Sequence, residues 1–97
     1  MSPLKPVHPG DVLREDFMKP MELTGYRLAK AINVPPQRIN EIIHCKRAVT
    51  AETDLRLARY FGVSEGIFLG IQARYDLEVT RHRVGKQIAK EVEVRAV

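Results

Sequence analysis

Five polar side chains, Gln37, Arg38, Asn40, Glu41 and His44, occupy the positions that Ile39, Ile42 and Ile43 leave free. The isoleucines recur at i, i+3 and i+4, the spacing of one buried helical face, so the polar set lines the exposed side of the same helix. Arg can grip guanine O6 and N7, while Gln or Asn can pair with adenine N6 and N7. Gln37, Arg38 and Asn40 therefore have the chemistry to read bases from the first turns of a helix lying in a major groove. Thr24, Arg27, Lys46 and Arg47 bracket that helix and suit phosphate clamping, which sets register without reading sequence. A merely solvated helix surface would account for any one of these residues, but not for the grouping.

The same inventory offers little to catalysis. His8, His44 and His82 are widely spaced, and only His44 has a thiol neighbour, Cys45. Adjacent residues on a helix point about 100° apart, a poor metal chelate. Glu15-Asp16 and the pair Glu52 and Asp54 read as solvated faces and as partners of positive helix ends. No phosphate loop, nucleophile elbow or paired-histidine motif occurs. A small basic nuclease would need a catalytic cluster of His, Lys or Arg, and none is visible. The reading is a non-enzyme with no metal and no cofactor.

Charge supports the binding chemistry. Between residues 24 and 47, Arg27, Lys30, Arg38, Lys46 and Arg47 stand against Glu41 alone, a local +4 equal to the net charge of the whole chain. A localised patch argues for a polyanionic partner better than a high isoelectric point does. At 97 residues there is room for one core. No apolar run approaches the 18 or so residues of a membrane span, and Met1-Ser2-Pro3-Leu4-Lys5-Pro6 does not read as a signal peptide. A single cysteine excludes an internal disulfide and suits the reducing cytoplasm.

To position the polar set, prolines, glycines and capping residues divide the chain into five helix-like blocks. His8-Pro9-Gly10-Asp11 starts the first, Val12, Leu13, Phe17 and Met18 give it an apolar side, and Pro20 ends it. Thr24 caps the second, Leu23 is placed to staple onto Leu28, and Asn33, tolerant of the left-handed conformation, stops it. Pro35-Pro36 opens the third, which runs to about His44. Thr50 caps the fourth, with Leu55, Leu57, Ala58 and Phe61 on its apolar side and Gly62 closing it. Ser64 is the expected cap of the fifth, with a staple from Val63 to Phe68 and a stripe of Ile67, Phe68, Ile71, Tyr75 and Val79.

The second and third blocks, about 24–44, have the spacing of a helix-turn-helix. Small Ala29 sits where the helices cross, Leu28 and Ile32 flank it, Val34 plugs the turn, and Ile39 and Ile42 anchor the second helix. The prediction is an all-α, five-helix DNA-binding domain over residues 8–80. A basic tail, 81–97, follows with Arg81, Arg83, Lys86 and Lys90. Its final Val92-Glu93-Val94-Arg95-Ala96-Val97 fits a strand as well as a frayed helix.

From His8-Pro9-Gly10-Asp11 through Tyr75-Asp76-Leu77-Glu78, about seven-tenths of the chain, the sequence resembles the HigA-type antitoxins. These are a branch of the Xre-like, lambda-repressor-like helix-turn-helix repressors. The matching stretches are HPGDVLREDF, PPQRINEII, KRAVTAET, LARYFGVS and QARYDLE. The resemblance implies a five-helix domain that dimerises and binds an operator in its own promoter. It also implies a partner, a HigB-type mRNA-cleaving toxin held inactive in the complex. Four positions depart from the pattern. Gly25 stands where many Xre-like proteins place a phosphate-binding Gln, which leaves Arg27 as the substitute. His44-Cys45 replaces a frequent Asn-Gly, putting a side chain where a left-handed glycine would be easy. Ile67-Phe68 replaces a Phe-Trp pair, and Gly70 a frequent Asn.

One recognition helix reads too few base pairs for useful affinity. Two-fold symmetry would place two of them roughly 34 Å apart on palindromic double-stranded DNA. The fifth helix is the expected seam of that homodimer, burying Phe68 and offering Ile71 and Tyr75 to a second copy. The alternatives are a stand-alone repressor with no toxin partner and a helical adaptor that binds only protein. A small basic nuclease-like reading frame next door separates the antitoxin from the lone repressor.

Overall fold

Several helix boundaries in this chain are set by a side chain that bonds a free backbone end. The computed structural model describes residues 5–96; residues 1–4, most of the opening read above as no signal peptide, and residue 97, the end of the alternating tail, lie outside them. Helix α1 (Pro9–Val12) begins at His8, whose imidazole Nδ1 accepts the Gly10 N–H at 2.9 Å. It runs straight into a π-helical turn, Leu13–Met18, in which Lys19 N–H donates to the Arg14 carbonyl at 3.0 Å. Leu13 and Met18 both turn into the core, and the helix stops before Pro20 as expected.

Helices α2 (Gly25–Ile32) and α3 (Pro36–Ile43) are joined by a short turn. Thr24 Oγ1 caps α2 by accepting the Arg27 N–H at 3.2 Å. Asn33, at φ 59° and ψ 50°, reverses the chain in the left-handed conformation. Arg56, reaching across from the next helix, donates to the Ile32 carbonyl at 3.0 Å and closes the other end of α2. Helix α4 (Ala51–Phe61) starts at Thr50, which accepts the Thr53 N–H, and stops at left-handed Gly62.

Helix α5 (Ile67–Glu91) departs from expectation in two ways. Its N-cap is Gly66, at φ 97°, and Ser64 makes no side-chain cap. The capping carboxylate belongs instead to Asp54 on α4, where Oδ2 accepts the Gly66 N–H at 2.6 Å and Oδ1 the Leu69 N–H at 2.9 Å. Asp54 is 2% exposed, so it is no solvated surface acid. Hydrogen bonds to a charged acceptor are worth about 1.5–3 kcal/mol each, which outweighs a local serine cap. The helix also continues through the basic segment to Glu91, with no break at residue 80. Val92 then turns extended, at φ −120° and ψ 111°.

The core is drawn from all five helices. Leu13, Leu28, Ile39, Ile42, Leu57 and Phe68 are fully buried, with Ala29 at the α2–α3 crossing and Val34 plugging the turn. Phe17 lies between Phe61 and Phe68, with ring centroids 4.8 and 5.3 Å away, forming an aromatic cluster in the core. Leu55 does not join it. At 47% exposure it lies on the outer side of α4. Among the described residues there is no strand, and no helix is long and apolar enough to cross a membrane.

The His8 cap makes a testable link between proton and fold. Burial lowers its imidazole pKa below the ordinary 6.5, against the opposing pull of Asp11 and Asp76. The unfolded chain therefore binds a proton that the folded chain resists, and stability rises with pH through that window. His8 contributes fully above pH 6.5 and loses its contribution as pH falls toward the folded-state pKa. Thermal melts on either side of that pH should show the loss, and His8→Asn, which keeps a capping oxygen but does not titrate, should remove that part of the slope.

Candidate nucleic-acid interface

The exposed side of α3 follows directly from how its other side is buried. Ile39 and Ile42 pack fully into the core, which leaves Gln37 and Asn40 exposed and Arg38 half-buried in the opening turn. At the N-terminal end of α2, a Cβ on Gly25 would meet Ile39 and Ile43 at 3.6 and 3.8 Å, ordinary contact distances. Position 25 thus faces α3, while Thr24 and Arg27 beside it are exposed. Thr24, whose Oγ1 already caps the helix, sits at the end where the α2 dipole favours an anion.

The C-terminal end of α3 is a Schellman turn. Cys45 N–H donates to Ile42 O at 2.9 Å, Lys46 N–H donates to Glu41 O at 2.8 Å, and Cys45 itself sits at φ 62°. The position where glycine would be easy is thus left-handed, and a cysteine occupies it. Its thiol donates to Asp11 Oδ1 at 3.3 Å. Arg14 donates to the same carboxylate at 2.9 Å and, through Nη1, to the Ile43 carbonyl. Burial works against the Asp11 carboxylate, but the hydrogen bonds from Cys45 and Arg14 outweigh it and hold the pKa below the usual range. Burial, then Asp11, pushes the Cys45 thiol up, so it stays protonated as a donor. Helix α1 thereby clamps the last turn of α3. His44, beside it, turns its Nδ1 to the Asn40 carbonyl at 2.7 Å, a contact that requires the proton on Nδ1.

Beyond that turn the chain carries Lys46 and Arg47, both exposed. Arg47 folds back over α3, and its Nε donates to Glu41 Oε1 at 2.6 Å. Gln37 Nε2 donates to the other oxygen, Glu41 Oε2, at 3.2 Å. Arg47 and then Gln37 draw the Glu41 carboxyl below its usual range. The predicted contacts thus divide: Thr24, Arg27, Gln37, Arg38, Asn40, Lys46 and Arg47 all belong to the α2–α3 unit and its two flanks, but Gln37 and Arg47 are already joined through Glu41. Sequence reading placed Glu41 on the right face and missed its role. Its i, i+4 spacing from Gln37 was visible; the return of Arg47 depends on the left-handed turn.

The predicted pairing residues lie on a different element. Ile71 and Tyr75 are half-buried on α5. The Tyr75 ring packs edge-on against His8, with centroids 4.9 Å apart, so part of it is committed within the chain. Nearby, buried Gln72 accepts the Val49 N–H at 2.9 Å and donates to Asp76 at 3.0 Å.

A helix-turn-helix family model matches residues 15–68. The chain is 51% identical over 73 residues to virulence-associated protein I of Dichelobacter nodosus, a match covering 75% of this chain and 68% of that one. It is 33% identical over 79 residues to antitoxin HigA-1 of Vibrio cholerae, covering 81% and 74%. Some other relatives are matched over only 65% of their length. The fold is similar to that of the Pseudomonas aeruginosa antitoxin HigA, solved with the higBA promoter, at a TM-score of 0.91 and 33% identity over 94% of this chain and 99% of that one.

Proposed function

We infer the function of this chain from its family: it belongs to the HigA-like branch of the Xre-like helix-turn-helix proteins. That family binds DNA and is not a family of enzymes. Within it, the chain is a sequence-specific antitoxin that represses its own operon and neutralises a HigB-like, mRNA-cleaving toxin in the cytoplasm. The observation that supports base reading best is the exposed face of α3, where Gln37, Arg38 and Asn40 stand clear of the core between the basic flanks. Arg27, Lys46 and Arg47, with Thr24 at the positive end of α2, serve the phosphates. The Pseudomonas relative was solved with a promoter, which supports an operator as the partner here.

Co-expression with a small nuclease-like frame adjacent to this gene tests the toxin half. Rescued growth and a co-purifying complex are expected. Growth arrest despite abundant soluble antitoxin would leave a stand-alone repressor, a reading favoured by relatives known only as transcriptional regulators.

The operator is a palindrome read by a homodimer whose seam includes Ile71 and Tyr75. The apolar side chains that α5 leaves exposed, among them Leu77 at 59% and Ile88 at 48%, extend the same helix and would be covered by a twin. Because Tyr75 also packs on His8, Ile71→Glu is the cleaner test. It should give a folded monomer by light scattering and weaker operator binding. A persistent dimer would place the seam elsewhere.

A further inference from the structure

Glu41 is an unexpected residue on a surface meant for DNA. It is the only acid between residues 24 and 47, and it lies on the exposed side of α3 among Gln37, Arg38 and Asn40. A free carboxylate there would repel phosphate. This one is not free, since each of its oxygens accepts a hydrogen bond from a different predicted DNA contact, Gln37 at 3.2 Å and Arg47 at 2.6 Å. Its backbone carbonyl also accepts the Lys46 N–H at 2.8 Å, so the residue anchors the basic turn by main chain and side chain together.

We propose that Glu41 is a positioning and specificity-determining residue that presets Gln37 to read adenine and Arg47 to meet a phosphate. The inference rests on the reading of α3 as the recognition helix. A carboxylate can only accept, so the atom Gln37 turns toward it must be its amide nitrogen. One N–H is then held by Glu41, and the second N–H and the amide oxygen remain for adenine N7 and N6. The hydrogen bond thus fixes which end of the amide faces which way, a choice that an unrestrained Gln makes only on binding and at an entropic cost. Arg47 is held by Nε alone, which leaves the four N–H groups of its two terminal nitrogens for phosphate.

Simple electrostatics and positioning make opposite forecasts. If Glu41 were only an unfavourable charge, removing it would tighten binding to every duplex. If it positions Gln37, removing it raises affinity for scrambled DNA but lowers discrimination at one base pair per half-site. The test uses full-length protein and a duplex selected from a randomised pool by the wild type, together with variants of that duplex at each position and a scrambled control. A bidentate amide–adenine pair discriminates by about five- to 150-fold. Glu41→Ala should lose roughly tenfold of that at the base pair where Gln37→Ala also loses it, and the double variant should lose little more than Gln37→Ala alone. Glu41→Gln keeps an acceptor oxygen without the charge and should retain part of the discrimination. Circular dichroism should show all four variants folded, because the backbone bond to Lys46 is untouched.

A wild type that fails to distinguish its duplex from the scrambled control overturns base reading by α3, and the role of Glu41 with it. A wild type that distinguishes them while Glu41→Ala keeps the whole ratio and binds both more tightly overturns the role of Glu41 alone.

Discussion

Arg38→Ala should cost about 1–3 kcal/mol per half-site and relax the preference at one base pair in each. Arg38 stands in the first turn of α3, where recognition helices meet base edges, and it is the most buried of the three predicted readers. Because the loss is counted twice on a palindrome, it is the largest expected effect of any single DNA contact. Lys46 is the matched control. It is exposed beyond the end of α3, and its side chain, unlike that of Arg47, forms no ion pair with Glu41. Lys46→Ala should weaken all duplexes alike and lower the salt slope by about one for each lost phosphate contact. Salt titrations of wild type and both variants, on a selected duplex and a scrambled one, separate the two roles. Equal loss from Arg38→Ala on both duplexes would make it a backbone clamp. Specificity would then fall to Gln37, Asn40 or DNA shape.

The second large effect concerns the fold beneath that surface. A Cβ at position 10 would stand 1.8 Å from the Ile42 carbonyl oxygen and 2.8 Å from its carbon, both backbone atoms. Nothing there can rotate away, so Gly10→Ala must push α1 off the last turn of α3. It should cost about 3 kcal/mol or more and lower the melting midpoint by roughly 12–24 °C. Gly70→Ala is the counter-case. An added Cβ there meets nothing within 4 Å, and an alanine in an exposed helix gains about 0.5–1 kcal/mol over glycine. Melting curves of the two variants should therefore move in opposite directions. Operator affinity should fall with Gly10→Ala even where the protein remains folded, because the clamp of Arg14 and Cys45 on α3 is displaced.

What was legible in advance was local. Thr24, Asn33, Pro36 and the isoleucines specify α2 and α3 within about twenty residues, and each acts as its chemistry predicts. The same holds for Thr50 and Gly62 at the ends of α4. The misses are long-range. Asp54 replaces Ser64 as the cap of α5 from another helix, and nothing adjacent in sequence announces it. Leu55 follows an apolar pattern but points outward. Arg14 reaches the Ile43 carbonyl, far along the chain, and no local spacing announces that contact. At the candidate site the residue types were readable, but the joining of Gln37 to Arg47 was not. That link exists only once Cys45 turns the chain back.

Helix α5 is continuous by hydrogen bonding but should not be uniform in stability. Its first turns are tied to Asp54 and buried through Phe68 and Gln72. From Val79 to Glu91 every residue is exposed except Val84 and Gly85, which are half-buried. An isolated helical stretch of about a dozen residues is marginal in water. Amide hydrogens near Phe68 should exchange only when the whole domain opens, while those beyond Val79 exchange through local fraying. In a lone chain, the outer half of the helix is therefore an equilibrium between coil and helix, and whatever packs against it determines how much of its length is kept.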